Sequence, residues 1–409
     1  MTIFGVNEWG PVKPMKVLIV APFDRTSIHS IRWVERLIKQ NINCYVISMS
    51  LEPIYLPENH LNLIQMPKLS WAKTLCKNLP GIRFLLDVVE VIVQIFFFKR
   101  LVKLNSFDLI NIQWLFHGLA FVSTFQRRVP IIATPWGSDL LMPSLRGKGF
   151  SKSKTRFINR VLVNRVVRRS SAFTCDANHM KEALVKRGAN PAHVSLIYFG
   201  TDVEYFNSNF RSQDLREHLG VGESAVMILS NRTLEAIYDI PTLFRAIARL
   251  KELKLDLRFV IAGGGSMRTD FEELVSSLGI QDLVVFTGRV DDETFRNLVA
   301  STDIYVSTSP TDGGIAASVA EAMSCEKPVI VTNFGDNSHW LKNQTAGLLF
   351  SSGNDEELCE KILTLVKNPD LRSRMGKIGR EIVVMDNNSK IEVKKVVDLF
   401  QRVSQSYLD

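Results

Sequence analysis

With 409 residues, 46% of them apolar and 9% aromatic, the chain is long enough for two cored domains and too apolar to be disordered throughout. The five cysteines, Cys44, Cys76, Cys175, Cys325 and Cys359, are odd in number and show no CxxC or CxxH spacing, which argues against a disulfide framework or a zinc site and suits a reducing cytosol. The formal net charge of +8 is unevenly shared: residues 1–205 hold 27 Lys and Arg against 13 Asp and Glu, whereas the remainder is acidic.

No basic region followed by an apolar stretch opens the chain, so a signal peptide is not expected and the reading is cytoplasmic. Short β-branched runs then recur at 16–21, 44–48, 109–114, 130–134, 172–175 and 194–199, separated by helical stretches. A second series follows at 225–230, 258–262, 284–287, 304–307, 328–332 and 347–350. Near-continuous apolar strands alternating with helices are what a parallel sheet covered on both faces requires. Two such series predict an α/β protein of two doubly wound domains, 1–205 and 206–387, with a helix over 388–409 packing back on the first. Ligands of such sheets bind beyond the carboxyl ends of the strands, which puts the site in the cleft between the domains.

Two segments of the first half invite a membrane reading. Residues 82–98 are strongly apolar, but Arg83, Asp87, Glu90 and Gln94 recur at helical spacing, and a bilayer span needs roughly 20 nearly uncharged residues. The segment reads either as a packed core helix or as a helix lying in a membrane interface. Residues 146–169 carry nine Lys and Arg and no acid, a pattern that fits a solvated helical face or contact with an anionic surface, either acidic lipid or a diphosphate-linked acceptor. No nucleic-acid module accompanies the charge, so nucleic acid is not an expected partner.

The sharpest constellation lies in the second half. The strand at 304–307 runs through Asp312, Gly313, Gly314 and Ile315 into a helix that starts near Ala316 and carries Glu321, Ala322 and Met323. Unhindered amides at a helix N-terminus form a site for a pyrophosphate, and a carboxylate farther along suits the paired hydroxyls of a ribose.

This region resembles the carboxyl-terminal domain of GT-B glycosyltransferases, in particular the retaining glycosyltransferase family 4, also called group 1. The motifs that carry the resemblance come in order: Arg232 after the strand at 225–230, where the family has a donor-phosphate arginine; Ala262-Gly263-Gly264-Gly265; Phe286-Thr287-Gly288-Arg289-Val290; Glu321-Ala322-Met323; and Gly347-Leu348-Leu349-Phe350. In the first half, Trp136-Gly137-Ser138-Asp139, the helix with His29, Arg32 and Trp33, and Phe199-Gly200-Thr201-Asp202 resemble one branch of the same family.

The resemblance implies a GT-B fold of two Rossmann-like domains and transfer of a sugar from a nucleoside diphosphate sugar to an acceptor hydroxyl, with retention of configuration. It implies donor binding by Arg232, Tyr238, Gly264, Arg289, Val290, Gly313, Gly314, Ile315 and Glu321, acceptor binding by Trp136, Gly137 and His117, and catalytic roles for Asp312, His29 and Asp139. A glycan or lipid-linked acceptor and a role in surface polysaccharide or glycolipid assembly are the partner and pathway it suggests. No metal signature is present, so neither a metal nor another cofactor is expected beside the donor.

Two departures stand out. Asp312 precedes Glu321 by nine positions where the family spaces its acids by eight, so either the loop carries one extra residue or the first acid's role is lost. Tyr238 occupies the place of the family's phosphate-binding lysine. These departures keep a non-catalytic nucleotide-sugar-binding subunit in view, beside a second rival, a nucleotide-sugar epimerase.

Overall fold

The computed structural model describes residues 14–21, 28–48, 61–68, 74, 80–141, 153–312 and 314–407. The first sheet contains β1 (Lys16–Val20), β2 (Asn43–Ser48), β3 (Leu61–Gln65), β4 (Leu109–Gln113), β5 (Ile131–Thr134), β6 (Ala172–Cys175) and β7 (Val194–Leu196), in the order β3-β2-β1-β4-β5-β6-β7. The second contains β8 (Val226–Ser230), β9 (Leu257–Ala262), β10 (Val284–Gly288), β11 (Ile304–Ser307), β12 (Val329–Thr332) and β13 (Gly347–Phe350), in the order β10-β9-β8-β11-β12-β13. Neighbouring strands are parallel in both sheets. Twelve of these strands fall on the apolar runs of the sequence. The exception is β3, an edge strand with a partner on one side only, whose Asn62, Leu63 and Gln65 are exposed and whose apolar signal is too short to stand out.

The period of two along each strand divides the core. Val17 and Ile19 of β1 face one apolar cluster and Leu18 and Val20 the other, so both faces of the first sheet are covered. In β8, Met227 and Leu229 face one cluster and Ile228 the next. The helix Ser389–Gln405 puts Val396, Leu399 and Phe400 into the cluster that holds Val17, Ile19 and Trp33, so the chain's last helix belongs to the first sheet.

The chain therefore crosses between the domains twice, and the two crossings are tied together. Thr201 donates its amide to the Asn387 carbonyl at 2.6 Å, and Ser389 donates back to the Thr201 carbonyl at 2.9 Å. Gly200 makes this approach possible: its φ is +80°, and a Cβ there would lie 2.6 Å from Ser389 Cα.

The basic stretch divides between two uses. Residues 146–152 lie outside the described residues; 153–169 form a helix. Arg165 donates to Thr124 Oγ1 at 2.8 Å and lies 4.0 Å from the Phe125 ring centroid, and Arg169 donates to the Thr124 and Gln126 carbonyls. These two guanidiniums tie the helix to its own domain, while Arg160 and Arg168 remain exposed.

Candidate functional site

In both sheets the strand order reverses beside the first strand, between β1 and β4 and between β8 and β11, which are the points where open parallel sheets bind ligands. At the β8/β11 point Arg232, its side chain 13% exposed, sits just past the end of β8. Its Nη2 meets Asp312 Oδ1 at 2.6 Å, its Nη1 reaches Ser318 Oγ at 3.4 Å, and its guanidinium lies 4.4 Å from the Tyr238 ring centroid. Behind it the Tyr305 hydroxyl bridges Ser318 Oγ at 2.8 Å and Asn231 Oδ1 at 2.5 Å. Burial works against the charge of Arg232, but Asp312 together with Tyr305 and Tyr238 outweighs it and holds the guanidinium above its ordinary value. The rim follows from two glycines: a Cβ on Gly263 would lie 2.9 Å from the Arg232 carbonyl, and one on Gly264 3.3 Å from Arg289 Cγ. Arg289 is exposed and Val290 half-buried on that rim.

Beyond β11 the chain enters the helix Ala317–Ser324, whose N-cap, Ala316, has no side chain with which to cap it. Its leading amides are therefore open to an anion. Gly313 lies outside the described residues. Gly314 is buried against the first domain, where a Cβ would fall 2.4 Å from the Asp176 carbonyl oxygen, and Ile315 packs on the second domain's core. One turn after Ser318, Glu321 is buried and accepts from Arg32 Nη1 at 3.2 Å. Burial pushes its carboxyl up to about 7, against the pull of the Arg32 guanidinium.

Arg32 belongs to the first domain. It lies on the helix Ile28–Lys39 that follows β1 and also reaches Asp292 at 3.4 Å. His29 sits in the first turn of the same helix, three residues before Arg32, and its side chain lies outside the described residues. A second contact closes the cleft beside β6: Asp336 accepts from the Asn178 amide at 3.0 Å and meets His179 Nδ1 at 3.4 Å. Between these contacts lies Asp176, whose buried Oδ1 has no hydrogen-bond partner among the described residues and whose carboxyl burial raises to about 6. The carboxyl ends of the two sheets thus face each other.

The remaining acceptor-side residues build loops. Asp139 is buried and accepts from the Leu115 amide at 2.6 Å and the Trp136 amide at 2.9 Å, so one carboxylate joins the loops that leave β4 and β5. Burial raises its pKa to about 6, while those amides pull it down. Gly137, at φ +102°, supplies the left-handed turn this loop needs, and the Trp136 ring packs edge-on against Trp33 at 5.9 Å and Phe199 at 5.5 Å. His117 caps the helix Gly118–Ser123: its Nδ1 accepts from the Ala120 amide at 3.2 Å, which leaves Nε2 to donate to the Gln113 carbonyl at 3.2 Å. Burial lowers its pKa to about 4, so the ring is neutral near pH 7.

The structure thus brings Arg232, Tyr238, Asp312 and the turn before Glu321 into one pocket wall, with Gly264 and Arg289 at its rim. It engages His117 and Asp139 in the scaffold of the facing loops. Arg32, Asp176, Ser318 and Tyr305 join the site without having been singled out in the sequence. Arg32 had the best available signal, since it stands beside Trp33 in the motif of the first helix.

Two facing Rossmann-like domains, with a largely buried arginine, an open helix N-terminus and a carboxylate at the second domain's switch point, make the architecture of a GT-B glycosyltransferase. The chain belongs to the group 1, or family 4, glycosyltransferases: the family model "Glycosyl transferases group 1" matches residues 212–382 and "Glycosyltransferase Family 4" matches residues 26–205. Among solved structures it is similar to sucrose-phosphate synthase from Thermosynechococcus elongatus, at 17% identity and a TM-score of 0.76 over 96% of this chain and 100% of that one. It is also similar to Anabaena HepE in complex with UDP, at 16% identity and a TM-score of 0.73 over 95% and 100%. Curated relatives include a Methanocaldococcus jannaschii glycosyltransferase, 22% identical over 62% of this chain and 64% of that protein. The D-inositol 3-phosphate glycosyltransferase of Thermobifida fusca is 27% identical over 47% of this chain and 46% of its own length. The chain spans from 38% to 77% of the length of these and other curated relatives it matches.

Proposed function

We propose that this protein transfers a hexose-type sugar from a nucleoside diphosphate sugar to the hydroxyl of a glycan or lipid-linked acceptor, with retention of configuration, in surface polysaccharide or glycolipid assembly. The observation that carries the reading is the largely buried Arg232 at the β8/β11 switch point, which reaches Ser318 in the first turn of Ala317–Ser324, one turn before Glu321. Breaking the anomeric C–O bond leaves charge on the departing diphosphate, and donors fixed in advance around that charge lower the barrier. Arg232 and the helix amides serve that end. Glu321 anchors the ribose through the carboxylate oxygen that Arg32 does not engage, which has acceptor capacity for a hydroxyl. A likeness to HepE, solved in complex with UDP, supports a uridine nucleotide as the first donor type to try. No metal is invoked. The basic first half supports placement at the inner, anionic face of a membrane as a peripheral protein.

One observation favours a second reading. Arg232 is already paired with Asp312, and the family's lysine is Tyr238, so the pocket is less cationic than its relatives' motif implies. A donor-binding subunit without turnover would look like this. Incubation with a panel of nucleoside diphosphate sugars separates the readings. A transferase releases nucleoside diphosphate slowly even without acceptor, an epimerase converts the donor without releasing it, and a binding subunit shifts its melting temperature and consumes nothing. Absence of both binding and consumption across the panel would refute the donor reading.

A further inference from the structure

We propose that the helix Pro80–Asn105 is a membrane-docking element that lies flat on an anionic bilayer, its outward apolar stripe among the acyl chains and its basic end at the headgroups. The proposal rests on the peripheral-membrane part of the function proposed above and assigns it to a surface distinct from the basic stretch at 146–169.

A surface helix ordinarily turns its apolar stripe inward and its polar residues outward. This one carries an apolar stripe on its outward side as well. Gln94, a polar residue, is among its buried contacts with the body, donating to the Pro67 carbonyl at 3.2 Å and to Glu90 Oε1 at 3.3 Å. Ile82, Leu85, Val88, Val89, Val91, Ile92, Val93 and Phe96 are all exposed, Leu85 by 62% and Phe96 by 69%. At 3.6 residues per turn six of them fall within an arc of about 100° and form one continuous stripe, which Val88 and Val91 widen on one side. Phe98 and Val102 lie on the opposite side, where they join the first domain's core and fix the helix lengthwise against it.

Charge selects the occupant. Arg100 and Lys103 continue the apolar stripe at its carboxyl end, Lys99 flanks it, and all three are exposed. The acids Asp87 and Glu90 lie round the helix from the stripe, towards the Gln94 side. An apolar face ending in cations, on a half-chain with 27 basic and 13 acidic residues, complements a bilayer with acidic headgroups better than it does a protein surface. From Ile82 to Lys103 the stripe runs about 32 Å, parallel to the surface rather than across it. No described helix is long and apolar enough to cross a membrane.

The test uses the full chain and vesicles of phosphatidylcholine, alone or with phosphatidylglycerol. Wild-type protein is expected to sediment with the acidic vesicles and to stay partly bound in added salt, because the apolar contribution is not screened. The double variant Ile92→Ser, Phe96→Ser is expected to lose binding at least tenfold with an unchanged melting temperature, since both side chains are exposed. Arg160→Gln with Arg168→Gln is expected to lose less. Phe96→Trp should add a blue-shifted emission component when acidic vesicles are added. If wild-type protein ignores acidic vesicles, the peripheral-membrane reading and this placement both fall. If it binds and the Ser variant binds equally, or the Trp emission does not move, membrane contact lies elsewhere and only the placement falls. A wild-type dimer made monomeric by the Ser variant, with no vesicle binding, would assign the face to a second copy and overturn the proposal.

Discussion

Arg32 Nη1 meets Glu321 Oε1 at 3.2 Å across 289 positions of sequence, joining the first helix of one domain to the helix Ala317–Ser324 of the other. The carboxylate expected to hold a ribose is thus shared with a cation from the facing domain. Arg32 is partly exposed and Glu321 buried, so removing the acid leaves a guanidinium that water can reach. Removing the arginine strands a buried carboxylate instead.

Glu321→Ala is therefore expected to keep the fold and to weaken nucleoside diphosphate binding by about 10- to 150-fold, the loss of a charged acceptor for two hydroxyls. Titration calorimetry with the best ligand of the donor panel reads this directly. An unchanged affinity in the folded variant would remove Glu321 from the ribose site.

The raised pKa of Glu321 gives a pH signature. An unfolded glutamate releases its proton near 4.5, whereas the folded protein holds this one to about 7. Between those values the folded state binds more protons, so this residue makes stability fall as pH rises from about 4.5 to 7 and level off above. Asp139 and Asp176, both near 6, act in the same direction. The difference between wild type and Glu321→Gln isolates one residue: the variant should gain roughly 1–3 kcal/mol relative to wild type between pH 5 and pH 8, as measured by denaturant unfolding. Parallel pH profiles would contradict the assignment.

Asp312→Asn leaves the largely buried Arg232 without its countercharge. The apo protein should lose up to about 3 kcal/mol. A bound diphosphate replaces that charge, so the melting-temperature increase produced by a nucleoside diphosphate should be larger in the variant than in wild type. Equal increases would show that the ligand does not use Arg232.

Asp139→Asn separates scaffold from chemistry. The amide can accept from only one of the Leu115 and Trp136 N–H groups, so a cost of roughly 1–3 kcal/mol is expected in thermal or denaturant unfolding. A variant as stable as wild type but inactive would return Asp139 to a direct role at the acceptor.

Gly200→Ala should destabilise the paired crossings, because φ is +80° and the new Cβ would meet Ser389 Cα at 2.6 Å. The strain of a left-handed alanine alone costs about 1 kcal/mol or more. Differential unfolding monitored with and without a nucleoside diphosphate will show whether the domains then melt separately, as the loss of the Thr201 pairing with Asn387 and Ser389 predicts.

Much of this molecule is written in short stretches of sequence. Twelve strands are legible because they are short apolar runs, most of them buried on both faces, and the candidate donor loop is legible because strand, turn and Glu321 helix follow one another within about 20 residues. The edge strand β3, covered less and paired on one side, left a weaker pattern. His117 and Asp139 are visible as polar residues beside strand ends, yet nothing local tells a cap or a loop brace from an acceptor-binding group; that depends on which amides the fold brings within 3.2 Å of them. The helix at 80–105 shows the same division. Its composition allowed a core or an interfacial role, and only the packing of Gln94, Phe98 and Val102 revealed which side faces away. The sequence by itself determined two parallel sheets and the place of the candidate site, because apolar periodicity and strand-turn-helix order act over a few residues. Only the tertiary structure decided that Arg32 meets Glu321, that Asp312 neutralises Arg232 and that Gly200 lies against Ser389, because electrostatic and steric contacts depend on distance in space, and these partners lie 80 to 289 residues apart along the chain.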